Sequence, residues 1–160
     1  MKKRLELLSV VLLLLTVAPN VGAASLDFIF DHYSSEDGLP HNSISDIHQD
    51  SKGYIWTCTW SGLSRFDGNS FINYIIRPGD RSNLSHNRIL SVDEDANGYL
   101  WLTAYDYRLY RFDSADGTFV CIPDDLPSFS DNDLKVKCFL NDKAGNTWIA
   151  VSGLGLYRID

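Results

Sequence analysis

Ten residues outside the regular apolar runs carry side chains that could bind a small polar ligand. They combine aromatic rings with amides, imidazoles and charged groups: His41, Asn42, Trp60, Arg81, His86, Asn87, Arg88, Tyr105, Asp106 and Tyr107. Aromatic rings can cover the apolar C–H face of a sugar, while polar groups bond its hydroxyls. The combination predicts a carbohydrate-binding surface, provided that the fold brings these residues to one face.

The same residues also have simpler structural interpretations. The His-Asn pair at 41–42 recurs at 86–87, and such a pair could shape a repeated turn without touching a ligand. The three aromatic residues could pack against neighbouring loops. Both alternatives stay open on the sequence alone.

No catalytic or metal-binding pattern accompanies this set. The segment from Asp93 to Gly98 begins like a calcium-binding loop, but Ala104 stands where a bidentate Glu is needed. The four histidines show no zinc-ligand spacing, and no carboxylate pair or Ser-His-Asp set can be assigned. We therefore expect a non-enzymatic chain without metal or cofactor.

A repeat defines the elements that must position the candidate residues. The segment DSKGYIW at 50–56 recurs as DANGYLW at 95–101 and DKAGNTW at 142–148, so its Trp returns after 45 and then 47 residues. LSRFD at 63–67 recurs as LYRFD and LYRID. Agreement in several columns indicates a repeat architecture. The repeated residues are Asp50, Gly53, Trp56, Asp95, Gly98, Trp101, Asp142, Gly145 and Trp148, and we expect the Trp rings to be buried between repeats.

Each copy of the repeat reads as four short strands. In the first copy they are 44–49, 54–59, 63–67 and 71–76, with turns between them. Asp can bond nearby backbone N–H groups in such turns, and Gly supplies positive φ. Four strands in about 45 residues is the size of one propeller blade. The sequence therefore predicts an all-β fold: about three four-stranded antiparallel blades of an incomplete β-propeller.

The repeat also divides the chain. We assign a partial propeller to 24–160, with blade 1 at 37–80, blade 2 at 81–126 and an incomplete blade 3 at 127–160. Residues 24–36 read as a closing strand that would complete the last blade of a ring. Connections between blades share one face with the turns between second and third strands, and that face would carry the ten candidate residues. Because rings usually have four to eight blades, we expect a fragment of a longer protein or, alternatively, a self-assembling subunit.

Residues 1–23 have the pattern of a secretory signal peptide. Three basic residues at 2–4 precede an apolar run at 7–17, and small residues follow at 22–24. The apolar run is short for a membrane span, although an uncleaved anchor is the alternative. The sequence therefore predicts export.

Charge and cysteine usage narrow the function classes. The formal net charge of −7 argues against nucleic acid and against anionic membrane surfaces. Cys58, Cys121 and Cys138 fit no zinc spacing, and we expect them to be small buried hydrophobes within strands. A Cys121–Cys138 bridge stays open.

The repeat resembles the two-component regulator propeller repeat. GLPHNSI at 38–44 and GLSRFD at 62–67 carry the resemblance in the first copy, and it extends over about residues 28–160. The second copy departs from the pattern with Tyr107-Arg108-Leu109 in place of Gly-Leu. The third copy lacks the upstream Gly-Leu and His-Asn.

This resemblance implies the periplasmic sensor region of a hybrid two-component histidine kinase of Bacteroidetes-type bacteria. It implies glycan breakdown products as ligands, with the remaining propeller blades and a membrane-anchored kinase as partners. Two other functions stay open. One is a stand-alone exported interaction module, completed as a homodimer or larger assembly, and the other is a propeller lyase or glycoside hydrolase.

Overall fold

The computed structural model describes residues 28–76, 84–122 and 135–159. A short 3₁₀ turn at Ser35–Asp37 precedes eleven strands in these ranges. The strands are β1 Ile44–Gln49, β2 Ile55–Thr59, β3 Gly62–Phe66, β4 Phe71–Tyr74, β5 Ile89–Glu94, β6 Leu100–Ala104, β7 Leu109–Asp113, β8 Thr118–Cys121, β9 Val136–Asn141, β10 Thr147–Val151 and β11 Gly155–Ile159. Within the same ranges, no helix has the length and apolarity that a bilayer crossing requires.

The strands form three antiparallel sheets, and strands that follow one another in the chain are neighbours in each sheet. Strands β1–β4 form blade 1, β5–β8 form blade 2, and β9–β11 form the described part of blade 3. The register repeats as well, because the Trp of the second strand lies opposite the Arg of the third strand in every blade. The pairs are Trp56–Arg65, Trp101–Arg111 and Trp148–Arg158.

A carboxylate organises the turn between the first two strands of each blade. In blade 1, Asp50 Oδ1 accepts hydrogen bonds from the backbone N–H groups of Lys52 and Tyr54, at 3.0 and 2.8 Å. Its Oδ2 accepts the indole N–H of Trp56 at 2.8 Å. The bonds Trp101 to Asp95 and Trp148 to Asp142 have the same length. The turn and the core residue of each blade are therefore held by one side chain.

Apolar side chains of facing blades form the core. Trp56 is only 1% exposed and meets the ring of Phe112 on blade 2 edge-on, with centroids 5.8 Å apart. Trp101 is buried in a second cluster with Ile149 and Val151 of blade 3. Burying a side chain of this size contributes about 2–3 kcal/mol. Trp56 and Trp101 thus join their blades to the next one. The expectation of burial between repeats is wrong for Trp148, which is half-buried because no described sheet follows blade 3.

The cysteines follow the exposure of their blades. Cys58 and Cys121 are buried, as expected of small hydrophobes in strands, whereas Cys138 is exposed. The expectation is wrong for Cys138 because no described residue covers that side of blade 3. None of the three cysteines forms a disulfide, so the Cys121–Cys138 bridge is not made.

The sequence predicts a closing strand at 24–36, near the start of the chain. The predicted signal peptide at 1–23 lies outside the described residues, as does the beginning of the predicted closing strand at 24–36. The chain divides into two units between Asp31 and His32, and residues 28–34 carry no strand. A strand needs a neighbouring strand for its backbone hydrogen bonds, and no described strand pairs with residues 28–34. The closing role of residues 24–36 therefore stays a prediction.

Candidate functional site

The loops that carry the candidate residues meet at one face of the blades. In each blade, the residue after the second strand donates its backbone N–H to a carbonyl just before the first strand. The three bonds are Trp60 to Ser43 at 3.2 Å, Tyr105 to Arg88 at 2.9 Å and Ser152 to Lys135 at 3.0 Å. The repeat therefore places turn aromatics of blades 1 and 2 beside the segments that enter those blades.

Five of the predicted residues form a continuous group at the junction of blades 1 and 2. The guanidinium carbon of Arg88 lies 4.1 Å from the ring centre of Trp60 and 4.6 Å from that of Tyr105. His41 stacks on Trp60 at 5.8 Å, and the ring of His86 lies 5.4 Å from Tyr105. We call these five residues the cation–aromatic stack. Arginine over aromatic rings at such distances is a favourable cation–π arrangement.

The two imidazoles of the stack also shape their turns. His41 Nδ1 accepts the backbone N–H of Ser43 at 2.8 Å, and His86 Nδ1 accepts that of Arg88 at 3.0 Å. Since Nδ1 is the acceptor, a neutral ring carries its proton on Nε2. These hydrogen bonds agree with the interpretation that the repeated His shapes its turn. The same two imidazole rings also belong to the stack.

The asparagines of the repeated pair bind backbone. Asn42 Oδ1 accepts the N–H of Ser35 at 2.7 Å. Asn87 Oδ1 accepts the N–H of Ile76 at 2.7 Å, and its Nδ2 donates to the carbonyl of Ile76 at 3.0 Å. Each Asn thus fastens the chain that precedes its blade, which is a structural role.

Asp106 has a structural role too. Its Oδ2 accepts hydrogen bonds from the Tyr110 hydroxyl at 2.7 Å and from the Ser85 hydroxyl, and its Oδ1 accepts the backbone N–H of Arg108 at 3.1 Å. Burial raises the pKa of the Tyr110 phenol well above its ordinary value. Tyr110 therefore remains a protonated donor, and Asp106 holds the inter-blade segment to blade 2.

Tyr107 meets a residue that the sequence analysis missed. Its backbone is left-handed, with φ 62°, and its carbonyl accepts the N–H of Val136 at 2.8 Å. The Lys137 ammonium lies 4.7 Å from the Tyr107 ring centre. Lys137 is the second residue of β9, two positions after Lys135, which is the repeat equivalent of Arg88. The repeat position therefore gave no direct signal for Lys137.

The ten predicted residues therefore divide into groups. His41, Trp60, His86, Arg88 and Tyr105 come together in the stack, while Asn42, Asn87 and Asp106 hold backbone and neighbouring side chains. Tyr107 pairs with Lys137 at the next junction. Arg81 lies outside the described residues. Trp60 and Tyr105 are 48% and 49% exposed, so a ligand can reach the stack.

Consecutive four-stranded antiparallel sheets that pack face to face are the architecture of β-propeller proteins. Residues 38–61 match the model of the two component regulator propeller, so the resemblance seen in the repeat is confirmed. Over 74 residues, the chain is 38% identical to histidine kinase P4 of Formosa agariphila. The aligned part is 46% of this chain and 5% of that kinase.

Solved structures agree with this fold. The extracellular domain of BT3049 from B. thetaiotaomicron, described as a hybrid two component system, aligns with a TM-score of 0.68 and 22% identity. That alignment covers 84% of this chain and 19% of that domain. The extracellular domain of BT4673, described as a one component system, gives a TM-score of 0.54 at 28% identity, covering 74% and 16%. The predicted all-β fold of propeller blades is confirmed, and this chain spans less than a fifth of each of these three proteins.

Proposed function

We propose that this chain is a ligand-sensing segment of a periplasmic propeller belonging to a hybrid two-component sensor, and that it responds to glycan breakdown products. The observation that most supports a ligand-binding role is the cation–aromatic stack. It is an exposed group of rings and polar side chains at the loop face of two blades. The context is supported by the propeller repeat and by relatives that are a histidine kinase and extracellular domains of signalling systems.

In this role the chain binds and does not catalyse. The remaining blades and a membrane-anchored kinase act as its partners. Ligand binding transmits a signal only when its free energy differs between two states of the receptor. A stack built from two blades suits this requirement, because a small rotation between blades changes the spacing of its members.

Titration calorimetry on the purified 160-residue chain tests the proposal, using oligosaccharides from enzymatic digests of plant, algal and host polysaccharides. We expect at least one digest to bind, with Trp60→Ala and Tyr105→Ala each weakening binding about tenfold or more. Tyr33→Ala is the matched control, because Tyr33 is an exposed aromatic that contacts Phe66, at the other end of β3 from the Trp60 turn.

Two results would contradict the proposal. Failure of every digest to bind the folded chain would remove the glycan ligand. Steady release of new reducing ends during the titration, lost on mutating one acidic residue, would establish an enzyme instead.

A second candidate is the stand-alone exported module that completes itself with further copies. An open apolar groove on blade 3 favours it, lined by Cys138, Phe139, Leu140, Trp148, Ala150 and Leu156. Downstream coding DNA with more repeats, a membrane helix and a kinase would support the sensor. An in-frame stop in an undamaged locus would support the module.

A further inference from the structure

We infer that the stack selects anionic glycan fragments, with Arg88 as the residue that binds the carboxylate or sulfate of the sugar. The inference rests on the proposed glycan-binding function and names the ligand class for the same site. It starts from the position of this one cation in an acidic protein.

Arg88 has no partner for its charge within the described ranges. The chain has a formal net charge of −7, yet no described carboxylate forms an ion pair with Arg88, and its guanidinium donates no hydrogen bond to a described residue. The Nε atom of Arg88 is buried and has no acceptor. A buried charged donor without an acceptor is costly, and an anion beside the guanidinium would offset part of that cost.

The rings hold this guanidinium ready for such an acceptor. Trp60 and Tyr105 contact it at 4.1 and 4.6 Å through their faces. The guanidinium donors lie in the plane of the group, as a rigid fork that matches two oxygens of a carboxylate or sulfate. The two ring contacts restrict the side chain before the ligand binds. Preorganisation of this kind lowers the entropic cost of binding.

This geometry also changes the expected role of the aromatic residues. Trp60 contacts both His41 and Arg88 through ring surface, and Tyr105 contacts both Arg88 and His86. Much of the ring surface that would stack on a neutral sugar is therefore already in contact with protein. The rings act here mainly as supports for a cation.

Neighbouring charges agree with an anion. Lys137 lies on the Tyr107 ring at the next blade junction, so a second cation borders the same face. The carboxylate of that turn, Asp106, has both oxygens bonded to protein donors, the hydroxyls of Tyr110 and Ser85 and the backbone of Arg108. The face therefore offers two cations to an incoming ligand, while both oxygens of Asp106 are already bonded to protein donors.

Paired oligosaccharides that differ only in charge test the inference on the purified 160-residue chain. One arm compares oligogalacturonate with its methyl ester, and the other compares oligosaccharides of a sulfated galactan (carrageenan) with their desulfated, neutral forms. We expect an anionic member to bind about tenfold or more tightly than its neutral counterpart, with the difference shrinking as salt is raised. The arm that shows the preference identifies carboxylate or sulfate as the group recognised.

Variants then assign the preference to Arg88. Arg88→Gln should abolish it and Arg88→Lys should retain part of it, because a point charge replaces the fork. Lys52→Gln is the control for net charge, because Lys52 lies in the β1–β2 turn, at the other end of β2 from Trp60. If Arg88→Gln does not fold, the paired ligands on the unmodified chain and Arg88→Lys decide.

The outcomes separate this inference from the function on which it rests. Equal binding of charged and neutral members overturns the inference and leaves a neutral-glycan sensor standing. A preference that survives Arg88→Gln overturns the assignment to Arg88 and leaves the proposed glycan-sensing function standing. Absence of binding to every oligosaccharide, with folding verified by circular dichroism, overturns both.

Discussion

A single carboxylate joins turn and core in every blade. Asp50 is buried and accepts two backbone N–H groups and the Trp56 indole. Removing a carboxylate of this kind leaves a buried indole N–H without an acceptor, which is costlier than losing a solvated hydrogen bond. The Asp and the Trp of the repeat are thus linked by a hydrogen bond, and the Gly lies in the turn between them.

Asp50→Ala should lower the free energy of unfolding by about 1–3 kcal/mol. The loss arises because three donors lose their acceptor and one of them is in the core. Urea unfolding followed by Trp fluorescence, at one fixed protein concentration, measures the change.

Asp67→Ala is the matched control for that measurement. Asp67 accepts two backbone N–H groups in an exposed turn, at 2.9 and 2.8 Å, and makes no bond to a buried ring. Water can replace it, so we expect a smaller loss. Equal losses for the two variants would show that the indole bond adds nothing.

At the scale of the element, tight turns set where strands begin and end. Gly62 has φ +137°, and a Cβ at this position would lie 2.7 Å from the carbonyl oxygen of Tyr74 and 2.9 Å from Ile75. Gly53 also has positive φ, at +89°, but a Cβ there would meet nothing within 4 Å. Substitutions at the two glycines therefore distinguish the cost of backbone strain, which both positions share, from the cost of a steric clash, which only Gly62 has.

Gly62→Ala should destabilise the chain by at least about 1 kcal/mol more than Gly53→Ala. Both variants place a side chain at positive φ, but only the first forces β3 away from the end of β4. Thermal unfolding of the two variants beside the unmodified chain measures the difference. Similar losses would mean that the end of β4 yields without cost.

Much of the secondary structure could be predicted from the sequence. The expected strand 44–49 coincides with β1, and the expected strand 54–59 exceeds β2 by one residue. Turn chemistry and apolar runs are local signals, so the sequence contains them. Residues 28–34 form no strand, and the local pattern alone could not decide their state.

At the scale of the whole molecule, the faces of the blades differ in what covers them. Trp56 and Trp101 are buried against the following blade, whereas Trp148 is half-buried and lines the open groove of blade 3. Leu140 and Leu156 beside it are 60% and 65% exposed. Contiguous apolar surface of this kind marks a site of association.

The purified chain should therefore self-associate, and Leu156→Glu should shift it towards smaller species. The carboxylate would be desolvated in any assembly that covers the groove, which opposes burial. Sedimentation velocity over a range of concentrations measures the shift. Lys143→Ala makes the same change in net charge at an exposed turn of the same blade and should leave the distribution unchanged. A monomeric unmodified chain with one sharp unfolding transition would refute this prediction.

The sequence by itself determined the repeat, the strands within it, the turns and the buried Trp, because each follows from residues only a few positions apart. It also placed the candidate residues in loops of one face. Only the tertiary structure decided that Arg88 lies on Trp60 and Tyr105, that Asn87 and Asp106 hold protein groups, and that Lys137 joins Tyr107. The Arg88–Trp60 and Lys137–Tyr107 contacts unite residues of different blades, 28 and 30 positions apart, and their geometry depends on how the sheets pack rather than on local pattern.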